Sequence, residues 1–99
     1  MTDEIKLQKD AAKGVRAKEL LEHDLLAEAF TSLEQAYTQA WRLTTIDDVT
    51  GREKLFLAIN VVGKVRDHLT SIVTNGTLAA TELRQLAETA ERARRWDQV

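Results

Sequence analysis

Two histidines, no cysteine, and a run of arginines next to a tryptophan are most of what this chain offers for chemistry. A carboxylate-bridged di-iron site needs Glu-x-x-His, because positions three apart share one helix face and reach one metal together. Val65 stands three residues before His68 and Leu20 three before His23, so that ligand set is absent. His68, after Lys64, Arg66 and Asp67, is expected where an apolar stripe gives way to polar residues, and His23 at a helix boundary. Ser71 follows His68 by three, on the neighbouring turn, but no Gly-x-Ser-x-Gly elbow supplies an exposed nucleophile and its oxyanion donors. Paired carboxylates act as acid and base only in a water-poor cleft that separates their pKa values. Glu19 with Glu22 reads as a solvated helix face, and Asp47 with Asp48 as a capping turn. The glycines, at 14, 51, 63 and 76, are too scattered to cradle a phosphate. Gly63 is expected inside a long helix, where it permits close helix approach. No catalytic residue, metal ligand or cofactor site is predicted, and the chain is expected not to be an enzyme.

Recognition is the chemistry that remains. Arg92, Arg94 and Arg95 lead into Trp96, and interfaces are enriched in tryptophan and arginine. Arg66 and His68 are expected on the margin of an apolar stripe. These six residues are the candidate partner contacts; for Trp96 the alternative is packing back onto its own helices. Lys6, Lys9, Lys13, Arg16 and Lys18 crowd the start, offset by Asp3, Glu4 and Asp10. Arg84 and the last three arginines are offset by Glu82, Glu88 and Glu91. Such mixed faces serve solubility and i,i+4 pairing, or else form a phosphate-contacting arm with strong salt dependence.

Composition fixes the kind of scaffold. Ninety-nine residues make one domain, in which burial of roughly 60–68% of the unfolded surface gives a thin core. Hydrophobic residues are 43% of the chain and charged residues 30%, a globular rather than a disordered balance. With no proline and an abundance of Ala, Leu, Glu, Lys, Arg and Gln, the expected class is all-α. The net charge of −2 argues against a generic nucleic-acid binder. The polar start lacks a signal-peptide core, and no apolar run reaches the ~20 residues of a membrane span.

Along the chain, residues 1–10 read as a flexible arm and 11–99 as a single helical-bundle domain. A first helix is expected over 11–22, with Gly14 weakening it by about 1 kcal/mol. A break follows at His23-Asp24, where Asp24 caps a new helix or sits in its first turn. Leu26, Phe30, Leu33, Tyr37 and Ala40 then recur at spacings of four and three, widened by Leu25, Ala36 and Trp41. After a polar turn, either Asp48 caps the next helix or Thr50 forms a capping box with Glu53. That helix carries Leu55, Ala58, Ile59, Val62, Val65, Leu69, Ile72 and Val73, and Asn75-Gly76 reads as its stop. A last helix over about 78–95 would bury Leu78, Leu83, Leu86, Ala87 and Ala90. The expected architecture is an antiparallel hairpin of about 25–43 and 51–74, closed at its turn by Trp41 and Phe56 and flanked by the shorter terminal helices. One layer of helices is a small core, and oligomerisation often completes such a scaffold.

The stretch 17–86 also resembles a group of small, mostly uncharacterised helical proteins of tailed bacteriophages and prophages of proteobacteria. The residues that carry this are Ala17-Lys18-Glu19-Leu20-Leu21-Glu22, Ala29-Phe30, Tyr37-x-x-Ala40-Trp41, Asp48-x-x-Gly51-Arg52-Glu53-Lys54-Leu55 and Lys64-Val65-Arg66-Asp67-His68-Leu69. It implies Asn-Pro in relatives where this chain has His23-Asp24, and a viral context inside a bacterial cell, in the host cytoplasm or the virion. The leading expectation is a self-associating interaction protein in virion assembly or DNA packaging. Its partner is itself, or another phage or host protein. The alternatives are a DNA-binding packaging-initiation module like a small terminase subunit, and an inhibitor of a host defence protein.

Overall fold

The computed structural model describes residues 2–97. Met1, in the predicted arm, and residues 98–99, at the end of the predicted domain, lie outside the described residues. Among the described residues there are three helices: α1 (Thr2–Glu22), α2 (Asp24–Arg42) and α3 (Val49–Asp97). No strand occurs among the described residues, so the all-α expectation holds.

Helix number and boundaries depart from the sequence reading in two places. Residues 2–10, read as an arm, are the first turns of α1, with Asp3 and Glu4 where the helix dipole favours carboxylates. Asn75-Gly76 does not end a helix. α3 runs through it, and no glycine among the described residues takes a positive φ. The four-helix arrangement, a hairpin flanked by two short helices, is therefore replaced by three helices, the last of 49 residues. Thr77, next to the expected start of the last helix, sits in mid-helix with its hydroxyl donated to the Val73 carbonyl at 3.1 Å. Thr70, Thr81 and Thr89 make the same bond to the carbonyl four residues back. Each hydroxyl is thus satisfied inside the helix that it could otherwise compete with.

Two boundaries match the sequence reading. The break falls at His23, whose extended backbone (φ −70°, ψ 120°) separates α1 from α2 without a side-chain cap, leaving Asp24 in the first turn. Of the two capping arrangements for α3, Asp48 is the one formed, its Oδ1 accepting from the Gly51 N–H at 3.1 Å. That bond satisfies one of the four free donors at the helix start.

The helices pack as two compact units, one of Glu19–Thr70 and one of the residues up to Lys18 with those from Ser71 onward. In the latter, Leu7, Asp10, Ala11, Gly14 and Ala17 form the less exposed face of α1, and Ile72, Val73, Gly76, Ala79 and Leu83 that of α3. Only small residues are buried there: the two glycines, with Ala17 and Ala79, each 4% exposed. Leu78 and Leu86, expected inside, are exposed, as are Ala87 and Ala90. Gly76 thus works through its missing side chain rather than through a left-handed backbone. Gly63, expected to allow close approach, has nothing within 4 Å of where a Cβ would stand.

In the unit Glu19–Thr70, Leu26, Phe30, Tyr37 and Ala40 of α2 and Leu55, Ala58, Ile59, Val62 and Leu69 of α3 are half-buried. Leu33 and Val65, which the stripes placed inside, are exposed. Among the described residues, no Leu, Ile, Val, Phe, Tyr or Trp is fully buried.

Candidate functional site

The six sequence-selected residues fall in both units. Trp96, in the last turn of α3, is 80% exposed, and Arg92, Arg94 and Arg95 beside it are exposed too. The helix brings Arg92 and Arg95 together with Glu88 and Glu91 around a shallow cleft of 160 Å³. Arg95 pairs with Glu91 one turn back at 3.2 Å, the i,i+4 geometry of a solvated helix face. Much of the cationic charge next to Trp96 is therefore offset locally.

Arg66 belongs to the other unit and points inward. Its Nη1 lies 3.1 Å from Glu34 Oε1, and its guanidinium sits 5.2 Å from the centroid of the Phe30 ring. Guanidinium is planar and weakly hydrated, which suits simultaneous pairing and stacking. Arg66 thus fastens α3 to α2, while His68, two residues on, is exposed.

The aromatic pair at the turn is not closed as expected. Trp41 stacks under Arg52, whose Cζ lies 5.4 Å from the ring centroid. Phe56 stays 58% exposed, and with Trp41, Arg52, Glu53 and Leu57 it lines an open cleft of 430 Å³. A depression of 850 Å³ runs past Thr31, Gln35, Thr38, Gln39 and Arg42, and its lining comes from α2 alone.

Sequence reasoning missed Leu57 and Val61. Both are more than half exposed, on a side of α3 away from the Leu55, Ile59 and Val62 stripe. Their spacing of four, continued by Val65, was the available signal. Among the described residues, no three His, Asp or Glu side chains gather as metal ligands would, and no buried side-chain nitrogen or oxygen lacks a partner. No helix among them is long and apolar enough to cross a membrane. Compared with models of known protein families, with curated proteins and with solved structures, the chain matches none.

Proposed function

We propose that this chain is a non-enzymatic helical interaction protein that associates with itself, and that it acts in virion assembly or DNA packaging of a bacteriophage. The observation that carries self-association is the lack of any fully buried large apolar side chain among the described residues. Burying such a side chain contributes about 1.5–3 kcal/mol, the main favourable term in folding. A chain with 43% hydrophobic residues and no such core gains that term by covering its helices with another chain. Within Glu19–Thr70 the reading takes α2 and the start of α3 as an antiparallel pair. The contacts of Trp41 with Arg52 and of Phe30 with Arg66, in opposite sequence order, support it. The phage setting rests on the sequence resemblance of residues 17–86, and Trp96 with its arginines is the proposed contact for a further protein.

Light scattering at low and high salt, with and without phage DNA, tests this function. A discrete homo-oligomer whose mass ignores both salt and DNA is the expected result. A monomer that gains mass only with DNA, and loses it again in salt, would overturn it in favour of a DNA-binding module.

A further inference from the structure

We infer that α3 carries a built-in break at Gly76-Thr77 which α1 holds closed, so that undocking of α1 turns one long helix into two and redirects residues 78–97.

Two runs of eight residues in the chain contain none of the strong helix formers Ala, Leu, Arg, Met, Lys, Gln and Glu: 44–51 and 70–77. Across the first the chain leaves helix after α2 and re-enters it only at Val49. Through the second, α3 continues without interruption. Yet the second run holds both caps that a break requires. Gly76, after Asn75, accepts the left-handed conformation that ends a helix. Thr77 is of a type preferred as N-cap. Its hydroxyl, now donated to the Val73 carbonyl, would in a broken chain accept from a backbone N–H two or three residues on.

What separates the two runs is α1. Residues 45–50 are all exposed, whereas Gly76 is buried and Ile72 and Val73 are half-buried. A Cβ on Gly14 would stand 3.2 Å from the Ile72 carbonyl oxygen, and one on Gly76 would stand 2.9 Å from that of Asp10. Ala11 and Gly14 also share a cleft of 520 Å³ with Val73 before the break and with Ala80 and Arg84 after it. α1 therefore lies along both sides of Gly76. A left-handed Gly76 would turn the chain after it, and the two sides could no longer follow one straight partner. Docking of α1 and breaking of α3 exclude each other, so each biases the other by the same factor.

α1 is also the element that can let go. Among residues 3–18 its large apolar side chains are Ile5, Leu7 and Val15, and only Leu7 is half-buried; the other two are 57% and 58% exposed. Little apolar burial holds such a segment, which is the mark of an element that opens before the rest. Its release would set the segment that ends near Trp96 on a new axis.

Amide exchange followed by NMR on the full chain tests the coupling. Asn75→Ala, at an exposed position, adds helix propensity inside the run, and Gly63→Ala adds it outside the run in open space. Both variants keep the fold. The amides of residues 10–17 in α1 are expected to exchange about threefold more slowly in Asn75→Ala and at the wild-type rate in Gly63→Ala. Equal rates in all three proteins, or equal slowing in both variants, would overturn the coupling. Gly14→Leu then wedges α1 away without altering α3, and Cα chemical shifts read the result. Helical values should persist at 60–68 and 82–92, be lost at 75–77, and return there when Gly76→Ala is added. Helical values at 75–77 in Gly14→Leu itself would show that α3 needs no support from α1, and the built-in break would be discarded.

Discussion

Gly14 and Gly76 meet backbone to backbone: a methyl carbon built on Gly14 would stand 2.7 Å from the Gly76 Cα, and one on Gly76 would stand 2.6 Å from the Gly14 Cα. The next nearest atoms are also main chain, the Ile72 carbonyl at 3.2 Å on one side and the Asp10 carbonyl at 2.9 Å on the other. No flexible side chain can swing away, so any added atom must push α1 and α3 apart.

Gly14→Ala and Gly76→Ala should each destabilise the protein by about 1–3 kcal/mol through overpacking. Helix propensity alone predicts the reverse, a gain of about 1 kcal/mol for alanine. Gly63→Ala, in open space on α3, should show that gain and raise the melting midpoint by a few degrees. Urea and thermal unfolding followed by circular dichroism measure all three, and equal signs at 63 and 76 would contradict the close contact.

Asp48→Ala should cost about 1 kcal/mol, because the Gly51 N–H loses its acceptor at the start of α3. Asp48→Asn keeps an oxygen acceptor and should lose much less. A Thr50→Ala change should leave the urea midpoint nearly untouched, since the cap actually formed does not use that residue; a loss at 50 as large as at 48 would revive the capping box.

Arg66 makes two contacts with α2, and they can be separated. Glu34→Gln removes the ion pair and leaves the Phe30 ring under the guanidinium. Arg66→Lys keeps the charge but loses the planar stack. A double-mutant cycle on Arg66 and Glu34 should give a coupling of about 0.5–1 kcal/mol that weakens with salt, as for partly exposed pairs. Zero coupling at low salt would show that the stack alone holds Arg66.

Trp96→Ala should change unfolding stability by less than about 0.5 kcal/mol, because so exposed a side chain leaves no cavity behind. That outcome, read from a urea titration, decides between the two sequence-based roles for Trp96. A loss of about 2 kcal/mol would mean that the ring packs back onto its own helices.

Much of the scaffold was legible. The all-α class followed from a composition rich in helix formers without proline, and the break at His23 and the cap at Asp48 from local polar chemistry. The functional residues were harder to read. Arg66 was singled out as a stripe-margin contact, but its partners, Phe30 and Glu34, are more than thirty residues away in sequence. Leu57 and Val61 stand off the stripe that the sequence shows, and only the structure shows that both stay more than half exposed.

Gly76 marks the division most clearly. By itself the sequence determined that helices form and where polar residues cap them, because those preferences are set within a turn or two of each residue. It could not decide whether Asn75-Gly76 ends a helix, since glycine serves both a left-handed cap and a close backbone approach. Tertiary structure decided that, by placing Gly14 against Gly76 and making the missing side chain worth more than the stop. It also decided which apolar residues find partners within the chain. Burial belongs to pairs of helices, and periodicity along one helix states only which face is available.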